Sequence, residues 1–443
     1  MANSIALVSL GCSKNLVDSE HMLGTLSEHG YEIVEETDDA NIIIVNSCAF
    51  IRPAEEEAIE ALLDLAELKK RNKGLKIICT GCLPQRRGEA LKDLMPEVDA
   101  FVGIGAIQQM PDVVERVLRG ERVFVSSDFG YQPTAETPRW RSAPQWSTYL
   151  RIADGCSNFC SYCTIPEIRG PYRSREADDI VAEFRKLVGS GIREVCLNAQ
   201  DTTAWGRDLS GRRDLADLLK ALGEVEYDGW IRLLYMHPEH LTDRLLDAME
   251  SLPQLVHYVD LPLQHVSKGV LYRMGRRGSK QEILSLVANI RAAMPDVAIR
   301  STFITGFPQE SEGEFESLLE FLQEAQLDRV SAFRFWPEEG TPAASMVNQI
   351  PEEVGDDRLA RLMALQEGIS RQVNQRFVGQ TLRVLLEESV EGIWKGRSYR
   401  DAPEVDGEVK VLPQGRQGLE AGQFIDVKIT RAEVHDLEGE PTV

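Results

Sequence analysis

Three cysteines, Cys156, Cys160 and Cys163, stand close together in the segment DGCSNFCSYCTIPEIRG. Their C-x3-C-x2-C spacing lets three thiolates on one loop face a single inorganic centre. A [4Fe–4S] cube takes four ligands, so three cysteines leave one iron open for a substrate or cofactor. A structural zinc site would need a fourth ligand, and neither His nor Cys is close by in sequence. Three unrelated core cysteines are the other alternative, and the shared loop favours an iron–sulfur cluster.

A second set of cysteines, Cys12, Cys48 and Cys82, is dispersed along the chain but shares one local setting. Each follows a short apolar run, IALVSL, IIIVN or LKIIC, by one or two residues. If these runs are parallel strands, all three thiols emerge at the carboxyl edge of the sheet, where open α/β sheets bind ligands. Ordinary buried cysteines are the alternative. Three equivalent positions favour a site.

Two further cysteines have simpler explanations. Cys79 and Cys82 form C-x-x-C, a spacing that also occurs in thioredoxin-like redox sites. That motif normally opens a helix, whereas Cys79 ends an apolar run, so we interpret Cys79 as a core residue. Cys196, inside REVCLN, receives the same interpretation. Structural disulfides are not expected in a reducing cytosol.

The elements that must position these cysteines fall into three series, and together they predict an α/β protein. Apolar runs alternate with helical stretches near the N-terminus, which predicts a doubly wound parallel sheet. Six further strand–helix units predict an incomplete (β/α)6 barrel. Short strands with Gly, Pro and Asp turns predict a small antiparallel barrel at the C-terminus. The predicted boundaries are 3–120 for the first domain, 121–141 for a linker, 142–376 for the central domain and 377–443 for the last.

The segment containing Cys156 follows the first strand of the central series and has Tyr162 before its last cysteine, and so resembles the radical-SAM superfamily. The resemblance implies that the open iron binds S-adenosylmethionine (SAM) and that the reduced cluster cleaves it to a 5′-deoxyadenosyl radical. It also implies SAM contacts at two strand ends, LNAQD for the methionine end and FITGFPQE for the adenine. The predicted SAM-binding residues are Asn198, Gln200, Asp201, Thr305 and Gly306. No catalytic residue is assigned.

Three N-terminal segments, LGCSKNLVDSE, VNSCAF and TGCLPQR, resemble the motifs of the methylthiotransferase family, in the family's order. With a TRAM-like C-terminal barrel, the resemblance covers nearly the whole chain. It implies a second [4Fe–4S] cluster on Cys12, Cys48 and Cys82. It also implies insertion of a methylthio group into an unactivated C–H bond, with one SAM as methyl donor and another as radical source. A non-enzymatic iron–sulfur carrier, which would not cleave SAM, is the alternative.

The charge balance bears on the substrate. The family has two main bacterial branches, one acting on a tRNA adenosine and the other on the β-carbon of an aspartate in the twelfth small-subunit ribosomal protein. The chain has a net charge of −22, and residues 377–443 contain 8 Lys plus Arg against 13 Asp plus Glu. An acidic barrel favours a basic ribosomal protein over RNA. A local basic face could hide within this average, and the acidity could simply aid solubility.

The segment GRSYRDAPEVDG also resembles the ribosomal-protein branch. Its Asp401, Glu404 and Asp406 could contact basic substrate side chains or could form a solvated turn. His265 and Arg300, near strand ends, could contact SAM or the substrate.

The implied partners are an electron donor and a sulfur donor besides the ribosomal protein, with no direct nucleic-acid binding. The chain contains no apolar run of about 18 residues, so we expect no helix that spans a membrane. MANSIALVSLGCSKN does not resemble a signal peptide, so we expect a cytoplasmic protein.

Overall fold

The structure is a computed structural model of the 443-residue chain and describes residues 3–126, 129, 131–142 and 144–442. Three residues of the predicted linker, Ser127, Asp128 and Gly130, lie outside the described residues, as do Ala143 and Val443 of the two following predicted domains. Within the described part, no helix is long and apolar enough to cross a membrane.

The N-terminal region is a six-stranded parallel sheet with helices on both faces. The strand order is β2-β1-β3-β4-β5-β6. Its elements are β1 (Ser4–Ser9), α1 (Ser13–Glu28), β2 (Glu32–Ile33), β3 (Ile42–Ser47), α2 (Arg52–Arg71), β4 (Lys76–Gly81), α3 (Cys82–Arg87), α4 (Leu91–Leu94), β5 (Ala100–Gly103), α5 (Met110–Leu118) and β6 (Val123–Val125). All six residues of β3 are buried, because helices exclude water from both faces of the sheet.

The central region is an open barrel of parallel strands wrapped by helices. Its elements are β7 (Ser147–Arg151), β8 (Ala153–Asp154), α6 (Ile165–Arg169), β9 (Arg173–Ser174), α7 (Ala177–Gly189), β10 (Glu194–Asn198), α8 (Leu215–Gly223), β11 (Trp230–Leu233), α9 (Asp243–Ser251), β12 (Tyr258–Asp260), α10 (Lys268–Arg273), α11 (Lys280–Ala293), β13 (Ala298–Thr305), α12 (Glu312–Ala325), β14 (Arg329–Arg334) and α13 (Glu352–Gln375). The barrel is two three-stranded sheets, β11-β10-β7 and β12-β13-β14. Between them, Ile231 of β11 forms an isolated parallel bridge with Leu255, which precedes β12.

The C-terminal region is a closed five-stranded barrel in the order β15-β16-β17-β19-β18. Its strands are β15 (Thr381–Val390), β16 (Ile393–Ser398), β17 (Val409–Val411), β18 (Phe424–Ala432) and β19 (Leu437–Pro441). Alternate residues of β15 point inward, and Leu382, Val384 and Leu386 belong to the core of this small barrel.

The three architectures predicted from the sequence are therefore confirmed, with local differences. The strand β12 is only three residues long, and a 3-10 segment, Ile104–Gln109, precedes α5. The stretch interpreted as a linker contains β6, the edge strand of the N-terminal sheet. Its later part lies against α1, where a Cβ on Gly24 would meet the Pro138 carbonyl carbon at 2.5 Å. Glycine lets the two backbones approach this closely.

The small barrel docks on the amino ends of the central strands through buried ion pairs. Arg397 reaches Glu194 of β10 at 2.5 Å, and Glu194 also accepts from Arg232 Nε at 2.8 Å. Burial opposes the charged carboxylate, but Arg397 and Arg232 together lower the pKa of Glu194 to about 2. The C-terminal barrel is thus fixed to the central one by paired charges as well as apolar contacts.

Candidate active site at the carboxyl ends of the central strands

One cavity of about 290 Å³ brings the two cysteine sets together. The N-terminal set and the central set both line it, although their members lie up to 151 positions apart in the sequence. The other lining residues are Lys14, Phe50, Asn158, Tyr162, Ile165, Arg169, Gln200, Tyr235, Met236, His237, Pro262, Gln264 and Arg276. The cavity lies where α1 of the N-terminal region covers the carboxyl ends of the central strands.

The N-terminal cysteines lie at the carboxyl ends of three neighbouring strands, as the sheet argument requires. Cys12 precedes α1, Cys48 follows β3, and Cys82 opens α3. A Cβ on Gly11 would lie 2.7 Å from Cys48 Cβ, so glycine at this position lets the first two cysteines come close. The Asn15 amide oxygen lies 3.9 Å from Cys12 Sγ and 3.8 Å from Cys82 Sγ.

The central cysteines lie on a loop held by backbone bonds. The Cys156 amide donates to Gly170 O at 3.1 Å, and the Ser161 amide donates to Met274 O at 2.9 Å. Burial raises the pKa of the Cys156 thiol to about 11 and that of Cys163 to about 12. Without a bound cation these thiols are protonated at neutral pH, and a metal centre would supply the charge that keeps them deprotonated.

The two remaining cysteines, Cys79 and Cys196, are fully buried and do not line the cavity. Burial raises the pKa of the Cys79 thiol to about 12. The interpretation of both as core residues is confirmed. All eight cysteines are free.

The cavity wall is cationic although the chain is strongly acidic. Lys14, Arg169 and Arg276 line it, and no Asp or Glu is among the described lining residues. The Lys14 Nζ lies 2.8 Å from the centroid of the Tyr235 ring, and burial lowers the pKa of Lys14 to about 7. Sequence reasoning missed these three residues, because isolated basic residues carry no spacing signal.

This donor set fits anionic iron–sulfur clusters and an amino-acid ligand. Six thiols in two groups of three can each leave one iron open, and the nearby cations offset the negative charge of ligated thiolates. The Gln200 Oε1 and the Arg276 Nε are buried with no hydrogen-bond partner in the described part of the chain. A free acceptor and a free donor in one cavity match the ammonium and carboxylate groups of SAM.

The predicted SAM-binding residues are not equally placed. Gln200 lines the cavity, and its Nε2 donates to Asp154 at 3.0 Å. Asn198 is buried and does not line the cavity, and its side-chain amide donates to Ser13 Oγ at 3.1 Å. Thr305 and Gly306 are outside the lining and pack against the first turn of α13, where Thr305 donates to Gly355 O at 3.1 Å.

Asp201 lies close to His237 and His240 in a grouping that resembles a metal site. Its two oxygens already accept four hydrogen bonds, from Asn158, His240, Thr203 and the Ala204 amide. A carboxylate has about four lone-pair sites, so none is left for a cation. Asp201 instead anchors the cysteine loop through Asn158.

The remaining candidates have internal partners. His265 is fully buried beside Glu310, with 3.8 Å between its Nε2 and the carboxylate, and does not line the cavity. Asp401 bonds to Arg329, and Asp406 accepts from the Tyr258 hydroxyl and faces Arg300. Both expectations for Asp401 and Asp406, a substrate contact or a solvated turn, are therefore wrong, because both carboxylates dock the C-terminal barrel. Glu404 is exposed.

Three family models match the chain in order. Residues 4–103 match an uncharacterized protein family, UPF0004, residues 150–322 match the radical SAM superfamily, and residues 378–442 match the TRAM domain. Two solved structures share the fold over most of the chain. The radical SAM methyltransferase TsrM from Kitasatospora setae is 14% identical with a TM-score of 0.56, covering 91% of this chain and 80% of its own. The cobalamin-dependent SAM radical enzyme OxsB is 12% identical with a TM-score of 0.52, and the match covers 83% of this chain and 56% of the OxsB chain.

Fold and site thus define a radical SAM protein with an N-terminal cysteine-bearing domain and a TRAM domain. Curated relatives specify the family. The ribosomal protein uS12 methylthiotransferase RimO of Heliobacterium modesticaldum is 44% identical over 98% of this chain and 94% of the relative. That of Moorella thermoacetica is 45% identical over 98% and 99%, and that of Clostridioides difficile 41% over 98% of both. The chain belongs to the uS12 methylthiotransferase family, and its cofactors are [4Fe–4S] clusters and SAM.

Proposed function

We propose that this protein adds a methylthio group to the β-carbon of an aspartate in ribosomal protein uS12. The observation that carries the proposal is the single cavity shared by both cysteine sets. In this assignment Cys12, Cys48 and Cys82 hold one [4Fe–4S] cluster, and Cys156, Cys160 and Cys163 hold the other. When bound, the clusters and SAM supply the radical and sulfur chemistry that an unactivated C–H bond requires.

The protein's own residues bind, orient and exclude water. Gln200 and Arg276 offer a free acceptor and a free donor to the amino-acid end of SAM. Apolar side chains at the cavity wall, Phe50, Ile165 and Met236, keep solvent from reactive species. His237 stays neutral at physiological pH, because burial lowers its pKa to about 3, and it brings no further charge to the wall.

A basic protein substrate is supported by the surface of the C-terminal barrel. Two of its basic residues, Arg397 and Arg400, and two acidic ones, Asp401 and Asp406, face inward. The charged residues left outside number 6 basic and 11 acidic, so the outward charge is still negative. Phosphate backbones are repelled by such a surface, whereas a lysine- and arginine-rich protein is attracted. The proposal therefore places the enzyme in the cytoplasm, where ribosomes are assembled.

The test offers both family substrates to anaerobically reconstituted enzyme with SAM and a chemical reductant. We expect uS12 to gain the mass of one methylthio group in place of hydrogen on an aspartate, and tRNA to remain unmodified. Modification of tRNA and not of uS12 would contradict the proposed substrate and assign tRNA in its place. Absence of 5′-deoxyadenosine under reducing conditions would remove the radical assignment altogether.

A further inference from the structure

The buried Arg169 guanidinium contacts α1 of the cysteine-bearing N-terminal region and Asp154, which lies two residues before Cys156 of the central cysteine loop. It ends α6, the short helix that follows Cys163. The carbonyl oxygen of its neighbour Gly170 accepts a hydrogen bond from the Cys156 amide at 3.1 Å, so the backbone next to Arg169 is bonded to the central cysteine loop. Its side chain is only 2% exposed.

The Arg169 side chain reaches across to α1. One terminal nitrogen, Nη2, donates to Asn15 Oδ1 at 2.8 Å and to Asp18 Oδ2 at 2.9 Å. The other, Nη1, donates to Asp154 Oδ1 at 3.2 Å, the oxygen that also accepts from Gln200. A planar fork with several donors can make these contacts at once, whereas a single ammonium cannot.

Asn15 lies between Arg169 and the N-terminal cysteines and contacts both. Its amide nitrogen donates to Leu10 O at 3.1 Å and to Ser47 O at 3.0 Å, which fixes it between the ends of β1 and β3. Its oxygen, which accepts from Arg169, is the atom near the thiols of Cys12 and Cys82. A short polar chain therefore runs from the central cysteine loop to two members of the other set.

We propose that Arg169 is a positioning residue that sets the separation of the two cysteine sets, and so of the two clusters that they would hold, which would supply the radical chemistry and the sulfur chemistry of the reaction. The inference rests on the function proposed above. Without the Arg169 guanidinium, the radical chemistry and the sulfur chemistry each remain possible, but transfer of the methylthio group to the substrate is impaired. Displacement of reacting groups by about 1 Å costs up to about 100-fold in rate.

The test compares Arg169→Lys with Arg139→Lys in reconstituted holoenzyme. Arg139 is a matched control, since it is also a buried guanidinium between α1 and α7, bonded to Glu20 at 2.6 Å and Glu183 at 2.9 Å, and it does not line the cavity. Three quantities are measured: iron per chain, 5′-deoxyadenosine formed per methylthiolated uS12, and the magnetic interaction between the two reduced clusters by EPR.

For Arg169→Lys we expect unchanged iron, a ratio of 5′-deoxyadenosine to product raised about tenfold, and an altered magnetic interaction. Arg139→Lys keeps the values of the unaltered enzyme. The inference is overturned if Arg169→Lys keeps the normal ratio and interaction, if Arg139→Lys changes them equally, or if Arg169→Lys loses the iron of one site. If Arg169→Lys does not fold, Asn15→Ala takes its place with the same criteria. Failure of the unaltered enzyme to modify uS12 would instead refute the proposed function.

Discussion

At the amino ends of the central strands, the buried carboxylates of Glu194, Asp401 and Asp406 each face a guanidinium. At the carboxyl ends, the described wall of the cavity has two arginines, one lysine and no carboxylate. The first arrangement neutralises charge inside the protein and so holds two domains together. The second arrangement leaves positive charge, thiols and unpartnered polar atoms available to bind the clusters and SAM. The same barrel therefore separates a structural end from a reactive end.

The largest expected effect comes from removing cysteines at the reactive end. Cys156→Ala should abolish both 5′-deoxyadenosine and methylthiolated product, by about 10⁴-fold or more, over 5 kcal/mol. Cys82→Ala should abolish the product but retain 5′-deoxyadenosine, because it belongs to the other set. Cys196→Ala, outside the cavity, is the control. Equal loss of both products in the two cavity variants would contradict the division into two sites.

A smaller effect is expected at the structural end. Glu194→Gln leaves the buried Arg232 guanidinium without its carboxylate and removes one of the two carboxylates that pair with Arg397, and it should lower the free energy of unfolding by about 3–5 kcal/mol. Urea or thermal unfolding measures the loss, with the exposed Glu57→Gln as control. SAM binding, measured separately below the unfolding transition, should not change. A parallel loss of SAM affinity would show that the two ends are not independent.

The same carboxylate predicts a pH dependence. The pKa of Glu194 falls from 4.5 to about 2 on folding. Its ion pairs therefore stabilise the fold fully above pH 4.5, and this stabilisation is lost as the pH falls towards 2. The stability advantage of the unaltered protein over Glu194→Gln should shrink by about 3 kcal/mol across that range. An advantage independent of pH would show that packing, not charge, holds the domains together.

The smallest effect concerns a single free acceptor at the reactive end. Gln200→Ala removes the unpartnered Oε1 and should weaken SAM binding about tenfold, or about 1.4 kcal/mol. Gln366→Ala removes a similar unpartnered oxygen, buried in α13 away from the cavity, and should leave SAM binding unchanged. Calorimetry on reconstituted enzyme gives both affinities. Equal effects of the two substitutions would deny Gln200 a role in binding SAM.

The sequence predicts the parts of this molecule that depend on local pattern. Alternating apolar runs and helices indicate the two α/β regions, and the positions of Cys12, Cys48 and Cys82 after strands place them at one sheet edge. These inferences need only strand direction and the carboxyl-edge rule. Local spacing likewise suffices for Cys156, Cys160 and Cys163.

The sequence does not reveal which domain surfaces meet. Arg169 bonds to residues 151 and 154 positions away, and no local pattern relates them. Asp401 and Asp406 look like turn residues, but the docking of the small barrel buries them against arginines of the central strands. Interdomain ion pairs of this kind are long-range features, which is why the cationic wall also could not be predicted.

The central claim is that two separate cysteine sets each hold a cluster at one cavity, and iron counting tests it most directly. Reconstituted enzyme should bind about eight irons per chain, and the variant with Cys12, Cys48 and Cys82 all replaced by Ala should bind about four. A count near four in the unaltered enzyme, or an undiminished count in the triple variant, would contradict the account.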